Sequence, residues 1–347
     1  MKIESRRIGR NHLCLGIVMR KPRMYTASFS PPLIFRNPHL QTVLSSSKLR
    51  LFRGLSAKTI AQPKILDAGR GIRLSGVLSA PPKRPVKGIV ILIHGWEGSA
   101  ESTYCVRTAD ALNRNGYSVF RLNLRDHGGN HHMNEGLFYA SLLDEVHRAV
   151  SQAAGLAGDV PAFMVGFSLG GNFALRVALR CRSEPIENLR HVYCISPVID
   201  PQKATVRIDS IDYIRWYFMK KWRHSLVRKQ SFFPRRYDFS QLLVKTSIGD
   251  LTDALLERYS QFSSMKAYFT SYTLVDDALQ DLPLPTTLLT AADDPIIPVE
   301  DFRQLRLNSR TELSIQQYGG HNGYIEGFSL RSWYETRIVS LFDGLAI

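Results

Sequence analysis

The sequence predicts an α/β protein, a mostly parallel β-sheet with helices on both faces. Three observations predict it. Short β-rich runs alternate with helical stretches from residue 63 onward, two of these runs are apolar throughout, and each apolar run leads through a glycine-containing loop into a helix. A length of 347 residues, 44% hydrophobic and 22% charged, suits one large domain with an insertion. The same composition excludes collagen-like, disulfide-scaffold and wholly disordered chains.

Ile72–Ser79 reads as a half-buried strand in a hairpin with Lys64–Ala68. Gly88–Ile93 (GIVILI) has no polar position, the mark of a strand covered on both faces. A helix follows near Thr103–Asn115 and closes at Gly116, and Ser118–Asn123 returns as a strand. Ala140–Ala154 reads as helix, Ala162–Phe167 as strand, Leu169–Arg182 as helix and His191–Ser196 as strand. Residues 198–283 break this rhythm. It resumes with Pro285–Thr290 and Leu313–Tyr318 and ends in an amphipathic helix over Leu330–Leu345. The interruption is read as an inserted, largely helical cap within a domain spanning 30–347. Residues 1–29 are read as a basic, disordered extension, with Met19 and Met24 as candidate starts. Leu13–Met19 has the look of a weak signal segment but runs into Arg20-Lys21-Pro22-Arg23 with no small-residue cleavage site.

Formal charge is +15, and its distribution narrows the partners. Residues 1–60 carry +11 and residues 201–236 carry +8, which leaves the other 251 residues at −4. The chain is a slightly acidic body with two basic attachments, so its charge bears on docking more than on chemistry. No nucleic-acid-binding motif accompanies the basic segments, and nucleic acid is not an expected partner. In the cap, Ile211, Ile214, Phe218 and Trp222 recur at helical spacing and predict the underside of a lid. Lys220, Lys221, Arg223, Arg228 and Lys229 are expected to face solvent, with peripheral contact to an anionic membrane surface as the sharper alternative. Four scattered cysteines, Cys14, Cys105, Cys181 and Cys194, favour a reducing compartment and a cytoplasmic placement. No apolar run approaches the roughly 18 residues of a membrane-spanning helix.

The strongest chemical signal is Gly166-Phe167-Ser168-Leu169-Gly170, followed by Gly171 and Asn172. It lies between a buried strand and a helix, where a sharp turn projects a serine hydroxyl above the sheet. Gly166 and Gly170 leave room for that turn. A serine hydroxyl needs a base, and the base needs an acid to orient it. In a fold of this kind the acid and then the histidine follow the serine along the chain. Asp294 opens an Asp-Pro-Ile-Ile-Pro frame just past a strand and is the expected acid. Asp293 is the runner-up, with capping of the next helix as its structural role. His321, in Gly319-Gly320-His321-Asn322-Gly323, is the expected base. An oxyanion would be held by the backbone N–H groups of Leu169, at a helix N-terminus, and of Trp96, in the loop His94-Gly95-Trp96-Glu97-Gly98-Ser99. His94 is read as support for that loop.

These four segments together resemble the α/β-hydrolase superfamily. Asn37-Pro38-His39-Leu40-Gln41-Thr42 is similar to a motif of its YheT-like branch of hydrolases, and the resemblance runs from about residue 30 to the end. It implies the α/β-hydrolase fold and a Ser168–His321–Asp294 triad. Members are described as esterases, lipases and alcohol acyltransferases. Asp126-His127-Gly128-Gly129-Asn130 departs from the Arg-Gly-rich loop common elsewhere in the superfamily.

His127, His131 and His132 beside Asp126 could be read as a metal site, but they lack the helical spacing or cysteine partners of common zinc motifs. A pocket-lining loop is the expectation, with no metal and no cofactor. The reading is a serine hydrolase of carboxylic esters, either short- to medium-chain acyl esters or lipid-like esters, acting on a small-molecule ester. Acyl transfer to an alcohol and thioester hydrolysis use the same residues. A non-catalytic lipid- or partner-binding protein is the alternative from another class.

Overall fold

In this computed structural model the described residues are 28–52, 61–81, 85–156 and 158–346. The signal-like segment, Cys14, both candidate starts and nearly all of the basic extension lie outside them. The strands are β1 (Ala61–Asp67), β2 (Arg73–Ser79), β3 (Gly88–Ile93), β4 (Tyr117–Leu122), β5 (Ala162–Phe167), β6 (Leu189–Ile195), β7 (Thr286–Ala291) and β8 (Thr311–Gln316). They form one sheet in the order β1-β2-β4-β3-β5-β6-β7-β8. β1 and β2 make the predicted hairpin and β2 runs antiparallel to β4, while the remaining pairs are parallel.

The two wholly apolar runs occupy the middle of the sheet. β3 and β5 are buried at every position. Ile89, Ile91 and Ile93 enter one core cluster, and Val90 and Leu92 enter another, because successive strand side chains point to opposite faces. The first cluster is shared with α3 (Leu143–Gly155) and α4 (Leu169–Arg180), the second with α2 (Thr103–Arg114) and α11 (Trp333–Asp343). The α/β-hydrolase fold class read from the sequence is the observed one.

Boundaries differ where polar residues blur the pattern. The helix expected from Ala140 begins at Leu143, since Ala140 is held in a loop by its N–H donating to the Tyr268 hydroxyl. The strand expected at 313–318 runs over 311–316, and the last helix begins at Trp333 rather than Leu330. The Asn37–Thr42 motif, given no secondary structure from sequence, forms α1 (Pro38–Ser46). Asn37 caps it by accepting from Leu40 N–H, and Pro38 occupies the first turn, where a missing N–H costs nothing.

Between β6 and β7 lie α5 (Pro201–Ser210), α6 (Asp212–Phe232), α7 (Ser240–Leu243), α8 (Ile248–Tyr259) and α9 (Met265–Thr270). α10 (Val299–Arg303) follows β7. Asp200 caps α5 and Ser247 caps α8. Apolar residues of this insertion, among them Ile208, Leu226 and Leu255, join the same core cluster as β3 and α4, so it packs on the body rather than apart from it. Among the described residues no helix is long and apolar enough to cross a membrane. Cys105, Cys181 and Cys194 are free and buried.

Candidate active site

β5 ends at Phe167 and α4 begins at Leu169, so Ser168 must turn the chain in one residue. It does so at φ 54° and ψ −118°, a region that costs a non-glycine residue energy unless its surroundings hold it there. The surroundings do hold it: Ser168 N–H donates to Ile195 O, and its carbonyl accepts from Val198 and Asn172 N–H groups. A side chain at Gly166 would drive its Cβ into Gly170 O, and one at Gly170 would collide with Ile93 O. Both clashes are with backbone, which explains the two glycines. Asn172 braces the helix that follows by donating to Val198 O and Tyr272 O, and it accepts from the buried Arg176.

The structure brings Ser168, His321 and Asp294 together. His321 Nε2 is 2.9 Å from Ser168 Oγ, and His321 Nδ1 is 2.9 Å from Asp294 Oδ2. A carboxylate can only accept, so Nδ1 carries its hydrogen and Nε2 is left to accept from the serine hydroxyl. Asp294 Oδ1 accepts from Ile296 and Ile297 N–H groups, which fixes the buried carboxylate on its loop. Asp293 is not beside the imidazole; its Oδ1 accepts from Gly320 N–H. The helix-capping role expected of Asp293 is therefore not what it does. It ties the histidine loop to the β7 loop, and Asp294 caps the turn at 296–297.

Trp96, in the loop after β3, and Leu169, at the start of α4, flank Ser168, and neither backbone N–H has an acceptor among the described residues. The loop that presents Trp96 is held by imidazoles. Leu124 N–H donates to His94 Nε2, so His94 carries its hydrogen on Nδ1 and donates to Gly95 O. Glu97 N–H donates to His127 Nε2, and His127 Nδ1 donates to Arg125 O in the same way. Burial pushes both imidazoles below the ordinary range, His127 to about 4, so these tautomers persist near neutral pH. His94 has the supporting role expected of it. The two rings also pack together at 4.9 Å.

The N-terminal motif turns out to position His321. Thr42 Oγ1 accepts from His321 N–H at 2.9 Å. Gln41 is fully buried, donates to Phe35 O and Ile325 O, and accepts from Ile325 N–H. Arg50, also fully buried, donates to Ser332 and Glu335 and locks the same arm onto α11. Sequence reading marked residues 37–42 as a motif but gave these side chains no task. The partners that tie them to the histidine loop and α11 lie more than 270 residues away, so no local pattern announces them.

Beside Ser168 and His321 opens a cavity of about 110 Å³ lined by Trp96, Phe218 and Trp222 together with apolar residues of α5, α8 and α9. Its lining includes no Asp, Glu, Lys or Arg. The Trp96 ring stacks on Phe218 at 5.2 Å and meets Trp222 edge-on at 5.1 Å. The predicted stripe on α6 therefore does face the body, from Ile214 onward.

The basic residues of α6 do not all face water. Lys229 is buried, and its ammonium donates to Asp126 Oδ1 at 2.8 Å, Asn134 O at 2.6 Å and Gly136 O at 2.9 Å. Lys221 donates to Glu97 O. Lys229 extends the buried stripe by helical spacing, 214-218-222-226-229, and that periodicity was the signal that could have found it. Nor do the three histidines of the 126–132 loop converge: His127 supports the Trp96 loop, His131 meets Ser225 Oγ at 2.8 Å, and His132 packs on Phe232. This loop lines a separate groove that carries charged side chains, while the apolar cavity is lined by other segments.

The chain is similar to several known hydrolases. The Hydrolase_4 family model, described as serine aminopeptidase, S33, matches residues 84–321. YheT of Escherichia coli is 24% identical over 326 residues, 90% of this chain and 92% of that one. Monoacylglycerol lipase ABHD2 of Danio rerio is 25% identical over 345 residues, 91% of this chain and 79% of that one. An esterase structure from Pyrobaculum calidifontis has a TM-score of 0.54 at 16% identity, covering 89% of this chain and 92% of its own. Esterase Pf2001 of Pyrococcus furiosus has a TM-score of 0.52 at 14% identity, covering 93% and 99%. With the sheet order, the Ser168 turn and a family match over most of its length, the chain belongs to the α/β-hydrolase superfamily, in the family that the S33 model describes.

Proposed function

We propose that the protein is a serine hydrolase of carboxylic esters with an apolar acyl chain. The observation that carries this reading is the uncharged, aromatic and aliphatic cavity that opens onto Ser168 and His321. A peptide substrate bound by its ammonium group would call for a carboxylate in that lining, and the lining has none. In the proposed reaction Ser168 Oγ bonds to the ester carbonyl carbon as His321 Nε2 takes the hydroxyl proton. The N–H groups of Trp96 and Leu169 stabilise the oxyanion, and Asp294 holds the His321 tautomer. Collapse breaks the bond to the alcohol, which leaves with the proton from His321. Water, deprotonated by His321, then releases the acid and regenerates Ser168. We further propose that α5–α9 act as a cap over the acyl chain, and that the enzyme works in the cytoplasm, where its buried cysteines stay reduced.

Two expected results test this reading. Across a series of p-nitrophenyl esters, wild type favours short to medium acyl chains, and Ala204→Trp, which fills the cavity wall, shifts the preference to shorter chains by roughly tenfold in kcat/KM per lost fit. A preference unchanged by Ala204→Trp would put the acyl chain elsewhere. Asp294→Asn lowers kcat by about 10,000-fold, because the Ile296 and Ile297 N–H groups hold the amide oxygen at the Oδ1 position and its NH2 then replaces the acceptor at His321 Nδ1. Asp293→Asn keeps an acceptor oxygen for Gly320 N–H and costs less than about tenfold. Equal losses in the two variants would remove Asp294 from its role.

A further inference from the structure

α6 has a concavity on each side. Phe218 and Trp222 line the apolar cavity, whereas Trp216, Tyr217, Lys220, Lys221 and Arg228 line a groove of about 750 Å³. The rest of that groove is His224 and Ser225 of the same helix, the Glu97–Ser99 loop and residues of the 126–131 loop. Trp96 lines the cavity and Glu97 lines the groove, so adjacent residues of one loop divide the two spaces.

The groove is positively charged. Lys220 rests over the Trp216 ring at 5.0 Å and Lys221 over the Tyr217 ring at 5.0 Å. Arg228 lies against Gly129, and its guanidinium has no carboxylate partner among the described residues. Of the two acids in the lining, Asp126 is taken by Lys229. Burial pushes the Glu97 carboxyl up to about 8, against the pull of Lys221, which leaves it mostly neutral at pH 7.

Two further features fit a ligand that carries both an anion and hydroxyls. Gly128 and Gly129 bring bare backbone to the groove at φ 61° and 86°, and neither N–H has an acceptor among the described residues. Such successive amides suit a phosphate oxygen. His131 is only 5% exposed, and its Nδ1 has no partner. The Ser225 hydroxyl donates to Asp126 O, so its oxygen accepts His131 Nε2–H and Nδ1 is left as a buried acceptor that a hydroxyl would satisfy.

We propose that this groove is a subsite for the phosphate-bearing, hydroxylated head of an acyl ester substrate, of the acylglycerol phosphate type, with the acyl chain in the apolar cavity. The acyl half of this assignment rests on the esterase reading above; the head half rests on the groove alone.

The test compares 1-hexanoylglycerol with 1-hexanoylglycerol 3-phosphate on wild type and on the double variant Lys220→Ala/Arg228→Ala. At low salt, wild type prefers the phosphate ester by about tenfold or more in kcat/KM, mainly through KM. Added salt erodes that preference. The double variant loses it and hydrolyses the neutral ester at the wild-type rate. Equal kcat/KM values for the two esters in wild type, or a preference that survives in the double variant, overturns the proposal. A binding arm separates this outcome from failure of the esterase reading. Millimolar glycerol 3-phosphate gives a saturable change in tryptophan fluorescence in Ser168→Ala, and the change disappears when Lys220 and Arg228 are also replaced. Displacement by inorganic phosphate assigns the recognition to the phosphate group, and resistance to displacement assigns it to the whole head; both support the subsite. No saturable response, or one unaffected by the double replacement, overturns it even if both esters are turned over.

Discussion

Replacing Ser168 with Ala lowers kcat for an acyl ester by about a millionfold, with little change in KM or in thermal stability. The loss is large because the proposed nucleophile and base act as a unit: without the hydroxyl 2.9 Å from it, His321 has no serine proton to take. The fold should tolerate the change. Alanine keeps the Cβ, and the strained turn at φ 54° is held by backbone hydrogen bonds to Ile195, Val198 and Asn172 that do not use the side chain. Residual turnover above the uncatalysed rate would come from the Trp96 and Leu169 N–H groups and from binding in the cavity. Steady-state kinetics beside a melting curve separates this result from simple unfolding. A loss below about tenfold with an intact fold would reject Ser168 as nucleophile.

Lys229→Met destabilises the protein by about 3–5 kcal/mol, the cost of leaving a buried charge without its partner. Asp126 would keep only the Phe138 N–H, while the carbonyls of Asn134 and Gly136 would lose their shared donor. Burial pushes the Lys229 ammonium below its ordinary range and the Asp126 carboxyl above its own, and their mutual attraction opposes both shifts. Adding Asp126→Asn to Lys229→Met should recover part of the loss, because the stranded charge goes with it. The consequence reaches the chemistry. α6 carries Phe218 and Trp222, which clamp the Trp96 ring, and Lys221, which holds Glu97 O. Urea unfolding of the two variants and wild type provides the measurement, and a loss under about 1 kcal/mol for Lys229→Met would show that this ion pair does not anchor the insertion.

The parts of this molecule that were legible in its sequence are those whose physics is local. β3 and β5 are covered on both faces, so they read as apolar runs. Gly166 and Gly170 are required by the turn they sit on, so the turn announces itself. Asp293 and Asp294 were harder to separate, since both lie on the same loop; only the three-dimensional course of the histidine loop brings Oδ2 of Asp294, and not Asp293, to the imidazole. Residues that act across the chain were not legible. Gln41, Thr42 and Arg50 are polar side chains near the N-terminal end that are buried or half-buried against residues 321–335, and their chemistry gives no hint of the partner. Lys229 sits in a basic run that suggests a solvated face, and its place on the apolar stripe outweighs its charge because Asp126 and three carbonyls meet it. Net charge alone is equally uninformative about partners. The +15 total includes cations spent on internal bonds, and what remains unpaired in the groove, Lys220 and Arg228, is a small and specific part of it.

The central claim is that Ser168 is the nucleophile of an acyl-enzyme mechanism, and covalent labelling tests it most directly. A fluorophosphonate probe should add one phosphonyl group per chain, located by peptide mass spectrometry on the segment containing Ser168, with simultaneous loss of esterase activity. Ser168→Ala should remain unlabelled. Equal labelling of wild type and Ser168→Ala, or modification confined to another residue, would contradict the account.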